Sequence, residues 1–201
     1  MLFDLGKTKP HEEDFVLDDP PKVVPDPTMP FPFEKLTGAV FDEKRIYRYV
    51  LWRVLKEKGG AILWICLNPS TADEDVDDPT VRRIVDYSKR WGYANCVIAN
   101  LFAFRATDPK AMKAAEDPVG PENMAWLKRL RGQAVTCVAA WGHNGCHRRT
   151  GRATLKELLP LGPIHCLGMT KAGHPMHPLY LAKTCKPRLF GRAALAAMFE
   201  D

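Results

Sequence analysis

Residues 68 to 78, NPSTADEDVDD, place an amide, two hydroxyls and the carboxylates of Asp73, Glu74, Asp75, Asp77 and Asp78 in one short stretch. Amides and carboxylates can position or activate a water, and clustered carboxylates can instead hold a divalent cation. Further along, Asn100 stands at the end of an apolar run, followed by Phe102, Phe104 and Arg105. An amide of this kind can read a base edge through two hydrogen bonds, an aromatic ring can stack on a base, and an arginine can meet phosphate or carboxylate. His174 and His177 flank Pro175-Met176 in a loop that suits the presentation of an imidazole to an anion. Each group also has a plainer role. Asp78 before Pro79 is a helix cap, a strand-ending Asn holds its own turn, and most buried Phe residues belong to the core.

These residues gain meaning from the elements that must carry them. Ala61 to Leu67 is apolar almost throughout, as in a strand covered on both faces, and a helix follows over 79–91. The alternation continues with a strand at 94–100, helices at about 109–115 and 121–131, a strand at 134–141, a helix at 148–159, a strand at 163–167 and a last helix at 191–199. This predicts an α/β fold of three αβα layers, with a central, mostly parallel four-stranded sheet. Ala39 to Phe41 and Ile46 to Leu55 read as an antiparallel edge element, with a helix over 45–57 as the alternative. The domain spans 38–201, and residues 1–37 form a proline-rich extended arm in which Phe31 and Phe33 are the candidate anchors. Parallel strands bring the loops beginning at Asn68, Asn100, Gly142 and Gly168 to one sheet edge, where open α/β sheets bind ligands. Gly142 there permits close approach of backbone and ligand.

Composition narrows the classes. At 201 residues, 46% hydrophobic and 26% charged, the chain has an ordinary globular balance. No apolar run approaches the about 18 residues of a membrane span, and no secretory signal opens the chain, so no membrane partner and a cytoplasmic location are expected. The six cysteines are scattered without a C-x-x-C pair. His143, Cys146 and His147 come nearest to a metal cluster but lack an evident fourth ligand, so neither metal nor cofactor is expected. The net charge of +5 permits a nucleic-acid partner. Arg148, Arg149, Lys171 and Lys183, in the basic last quarter, are candidates for a phosphate-facing surface.

The stretches LNPSTAD, RWGYANCVIANLFAFRATDP, DPVGPEN, AWG and KAGHPMHPLYL closely resemble those of an uncharacterised bacterial and phage family, the domain-of-unknown-function family 1643, over residues about 39–190. That family in turn resembles the uracil-DNA glycosylase superfamily at the level of fold. Leu67-Asn68-Pro69-Ser70 resembles the G-I-N-P-G form of its first motif. Asn100, Phe104, Arg105 and Pro109 echo a second stretch, and His177-Pro178-Leu179-Tyr180 resembles the closing H-P-S-P-L-S. The resemblance implies a protein that processes a nucleobase or nucleotide and hydrolyses an N-glycosidic bond in DNA or a modified nucleotide. Asn68 would hold the water, with Pro69 fixing the turn that aims it, and His177 would donate to the leaving base. Asp73, a better base than an amide, is the rival within that loop. Pro69, Ser70, Asn100, Phe102, Phe104, Arg105, Gly142 and His174 are the expected substrate contacts. The alternatives are a non-catalytic recognition module for a modified base or nucleotide, and a metal-dependent phosphoester or nucleotide hydrolase using Asp73 and its neighbours.

Overall fold

A computed structural model of the protein describes residues 35–191. Most of the proline-rich arm and the expected helix at 191–199 lie outside the described residues. Thr37, read as the end of the arm, is the first residue of a strand.

The β-branched and aromatic segments before residue 55 form an antiparallel pair, β1 (Thr37–Phe41) and β2 (Arg48–Val54), rather than a helix. The parallel strands follow as β3 (Ala61–Cys66), β4 (Asn95–Asn100), β5 (Thr136–Ala139) and β6 (Ile164–Cys166), and a short antiparallel β7 (Arg188–Leu189) completes the sheet. Among the described residues seven strands run in the order β1-β2-β4-β3-β5-β6-β7. The sheet is thus wider than the four strands expected, although β4, β3, β5 and β6 are neighbours paired in parallel. The additions have a physical cause. An open edge on β4 or β6 would present unpaired N–H and C=O groups, and β2 and β7 cover these edges by antiparallel pairing.

All six residues of β3 are buried, and their alternation feeds two cores. Leu63 and Ile65 join Val97, Ala99, Cys137 and Ala139 on one face, beneath α2 (Pro109–Ala114), α3 (Asn123–Gln133) and α4 (Thr150–Leu158). Ile62, Trp64 and Cys66 join Ile98 and Val138 on the other, beneath Val81, Ile84 and Tyr87 of α1 (Pro79–Arg90). The result is an α/β fold with helices on both faces of a mixed sheet.

Local chemistry sets the helix starts. The Asp78 carboxylate accepts from the Val81 N–H at 2.8 Å with Pro79 in the first turn, and Asp108 with Pro109 repeats the device by accepting from the Lys110 N–H. Helix α4 begins at Thr150, two residues later than expected, because Arg148 and Arg149 take left-handed φ values of 50° and 56° and break it from the 3₁₀ segment His143–Arg149. Helix α3 starts at Asn123, also two residues late. The Asn123 side chain is buried and donates to the carbonyls of Asn100 and Leu101 at 3.0 Å each, tying the helix to the end of β4.

All six cysteines are free, and burial pushes the thiols of Cys66, Cys96 and Cys137 up to about 12, so these three act as small apolar core residues. Among the described residues no helix is long and apolar enough to cross a membrane.

Candidate functional site

In this sheet the chain leaves β3 toward β4 on one side, then returns past it to place β5 on the other. Such a reversal opens a crevice outside the carboxyl ends of the strands. Here it forms a cavity of about 390 Å³, within the range of small-molecule sites. Asn68 and Ser70 after β3, Asn100 at the end of β4, Trp141, Gly142 and His143 after β5, and His177 and Tyr180 after β6 all line it. The loops are tied together by backbone. The Gly142 N–H donates to Pro175 O at 2.9 Å, and Ala106 N–H donates to Pro69 O at 2.9 Å. Gly142 holds φ +71°, a conformation that favours glycine and accounts for its presence, while a Cβ there would meet the His177 Cβ at an ordinary 3.5 Å.

The orientation of Asn68 follows from its partners. Its amide nitrogen donates to Pro69 O at 3.0 Å and Ala106 O at 2.7 Å. Both donors are consumed by carbonyls, which leaves the side-chain oxygen as the end that can accept from a ligand or water. Asn68 therefore pins its turn and retains an acceptor. Asn100 differs, being 1% exposed with no hydrogen-bond partner for its Nδ2 among the described residues. A buried, unsatisfied donor in a cavity wall suits a ligand that supplies an acceptor.

His177 lines the cavity in a half-buried position, and its Nδ1 accepts from the Leu179 N–H at 3.4 Å. That contact selects the neutral tautomer with the proton on Nε2, making that nitrogen a donor. Burial lowers the His177 pKa from its ordinary value, partly opposed by the Asp78 carboxylate. Burial also lowers the pKa of His165 in β6. A histidine whose folded pKa is depressed contributes its full stability above the unfolded value of about 6.5, and that stability is lost as pH falls toward the folded value. The melting temperature should accordingly drop as pH is lowered from about 7 toward 5. Thermal melts of the parent and of His165→Gln test this, the variant showing a flatter dependence. A parent curve that rises on acidification would contradict it.

Three of the cavity residues outside the expected site carry charge or an aromatic ring. Arg48, in β2, is 2% exposed, donates from Nη1 to Ala72 O at 2.6 Å, and has no partner for its Nε among the described residues. Burial lowers its pKa to about 10, with Asp78 opposing, so it stays cationic at neutral pH. Among the described residues no carboxylate lies within ion-pair distance of it. Asp78 is the carboxylate that lines the cavity, in addition to capping α1. Tyr180, 82% exposed at the mouth, has its ring 5.5 Å from that of His177. The Asp-Pro cap and the tyrosine next to His177 were legible signals, whereas Arg48 looked like one more strand arginine.

Other expected contacts lie elsewhere. Asp73 does not line the cavity; its Oδ1 accepts from Val76 and Asp75 N–H groups at 2.8 and 3.0 Å, and these bonds hold its carboxyl below its ordinary pKa. It fastens its own loop. Phe102 is fully buried in the core and has no face to offer a base. Phe104 packs edge-on against Tyr47 and, with Arg105, Arg45 and Ser70, borders a shallower adjoining hollow of about 680 Å³. Arg105 lies over the Phe41 ring and donates to Arg45 O. Arg148 is committed to the carbonyls of Glu116 and Ala115. Arg149, Lys171 and Lys183 are exposed and stand outside the cavity wall, so the four basic candidates do not gather on it. His174 packs against His143, the ring centroids 5.1 Å apart, rather than lining the cavity.

A family model described as "Protein of unknown function (DUF1643)" matches residues 48–179. That span runs from Arg48 through His177 and leaves out Tyr180. No curated protein and no solved structure matches the chain.

Proposed function

The chain belongs to the family described as "Protein of unknown function (DUF1643)", and we propose that its strand-end cavity takes a nucleobase and hydrolyses an N-glycosidic bond in DNA or in a modified nucleotide. The observation that carries this reading is the meeting of Asn68, Asn100, His177 and Asp78 in one cavity with an exposed aromatic ring, Tyr180, at its mouth. Four parallel strands between helical layers also suit the uracil-DNA glycosylase-like fold that the motifs suggest.

Each group has a task that its surroundings allow. The Asn68 side-chain oxygen holds a water, and Asp78 accepts the proton as that water attacks the anomeric carbon. The C–N bond breaks with its electron pair moving onto the base. His177, neutral and carrying its proton on Nε2, donates a hydrogen bond to the base as negative charge develops. The buried guanidinium of Arg48 stabilises the same charge, and Asn100 reads the base edge. Tyr180 offers the stacking surface expected earlier of Phe102 or Phe104.

The unpartnered donors of Arg48 and Asn100 also favour a second reading, a recognition module that binds the base without turnover. The Asp73 loop gives less support to metal-dependent phosphoester hydrolysis, since among the described residues no three of its carboxylates converge on a point.

The test is incubation with single strands and duplexes carrying uracil, mismatched or hypermodified bases, and with the corresponding nucleotides. Release of free base is expected from at least one substrate, slowed about 10²–10³-fold in Asn68→Ala and in His177→Ala. Binding without release, weakened by both substitutions, would establish the recognition module instead. No release, together with binding unaffected by either substitution, would overturn both.

A further inference from the structure

We infer that His143, Cys146 and His174 form a binding site for a zinc-class divalent cation at the rim of the cavity. One ligand atom from each of the three side chains lies within 4.8 Å of the other two. The sequence alone pointed to His147 as the third member, but the fold replaces it with a residue from another loop.

Local geometry explains the replacement. His143 and Cys146 stand three apart in a 3₁₀ segment, where side chains at i and i+3 eclipse and project from the same edge. His147 turns away, its ring 5.8 Å from Phe102 and its Nε2 buried without a partner among the described residues. His174 arrives from the loop after β6, which is held as a tight hairpin by paired hydrogen bonds: Thr170 N–H to His174 O at 2.8 Å and His174 N–H to Thr170 Oγ at 3.1 Å. The Gly142–Pro175 bond then fixes this hairpin against the segment that carries His143 and Cys146. The three side chains are thus placed by backbone contacts on either side of them.

Two imidazoles and a thiolate suit zinc and exclude magnesium or calcium, which require oxygen ligands. Zn–N bonds of about 2.0–2.1 Å and Zn–S bonds of about 2.3 Å put ligand atoms roughly 3.5 Å apart, so side-chain rotation of about 1 Å closes the present arrangement on an ion. Three protein ligands leave a fourth position open, the pattern of catalytic rather than structural zinc. His143 belongs to both the triad and the cavity wall, so an oxygen of a ligand in the crevice has access to that position. The Nδ1 of His174, buried and without a hydrogen-bond partner among the described residues, offers a lone pair that a cation would satisfy. The site does not depend on glycosidic chemistry and stands or falls by metal binding.

Metal-free full-length protein, kept reduced, should bind one Zn²⁺ per chain by calorimetry. Co²⁺ as a probe should give a sulfur-to-cobalt charge-transfer band and visible absorption of tetrahedral intensity. His143→Ala, Cys146→Ser and His174→Ala should each weaken Zn²⁺ binding at least about tenfold, with Cys146→Ser abolishing the charge-transfer band. Cys185→Ser, outside the triad, should change neither. His143 and Cys146 are exposed, so their variants should keep the parent circular dichroism spectrum. Absence of the band in the parent protein would overturn the site, as would stoichiometric binding indifferent to the three substitutions. Base release that persists in metal-free protein would leave the glycosidic reading intact.

Discussion

An Asp78→Asn variant should fold as the parent does and release base about 10²–10⁴-fold more slowly, the span that a positioned general base contributes. The prediction separates two roles of one side chain. Asn caps helices as well as Asp does, so the bond from the Val81 N–H survives and the melting temperature should hardly move. Only the carboxylate proposed to accept the proton is lost from the cavity. Asp78→Ala removes the cap as well and should cost about 1 kcal/mol of stability on top of the lost turnover. Asp73→Asn is the control, because Asp73 lies outside the cavity and its bonds hold its own loop. Base-release assays and melts on the three variants decide the matter. Full turnover in Asp78→Asn with loss in Asp73→Asn would transfer the role to Asp73.

The largest stability effect is expected at Trp64. Its side chain is 0% exposed in the middle of β3, in a three-ring cluster with Tyr87 at 5.9 Å and Trp91 at 5.5 Å, those two rings themselves 5.2 Å apart, and its indole N–H donates to Ser88 Oγ at 3.0 Å. Its strand neighbours in register are Ile98 and Val138, so it is enclosed by α1 above and two strands beside it. Trp64→Ala leaves a cavity that this layer cannot readily collapse and should destabilise by about 3–5 kcal/mol. For a chain of this size that corresponds to a fall in melting temperature of about 6–20 °C. Trp64→Phe, which retains stacking and loses the bond to Ser88, should fall between. Chemical and thermal denaturation measure both. A loss below about 1 kcal/mol in the alanine variant would show that this side of the sheet is not held by the aromatic stack.

Much of the framework was legible in the sequence because it is set by local forces. The apolar run at β3, the Asp-Pro starts of α1 and α2, and the alternation of strand and helix are statements about neighbours in the chain, and periodicity and capping report them directly. Even the list of loops that meet at the cavity followed, since parallel strands must end at a common edge. The sheet's width was harder to read. The short β7 carries no pattern of its own and exists because β6 needs a partner at its edge.

The sequence by itself therefore determined an α/β framework and the four loops that supply the candidate chemistry. Only the tertiary structure decided which side chains within those loops face the cavity. Asp73 and Asp78 are both acidic residues five apart in one loop, yet one folds back on its own backbone and the other lines the crevice. Phe102 is absorbed by the core while Tyr180 stands at the mouth, and Arg48 reaches the cavity from a strand that the four-strand expectation left at the margin. His174 joins His143 and Cys146 across nearly thirty residues of chain because one hydrogen bond, Gly142 to Pro175, holds two loops together. Residue type and spacing specify what a side chain can do. Its direction and burial are set by packing among elements distant in sequence, and local pattern carries no record of that.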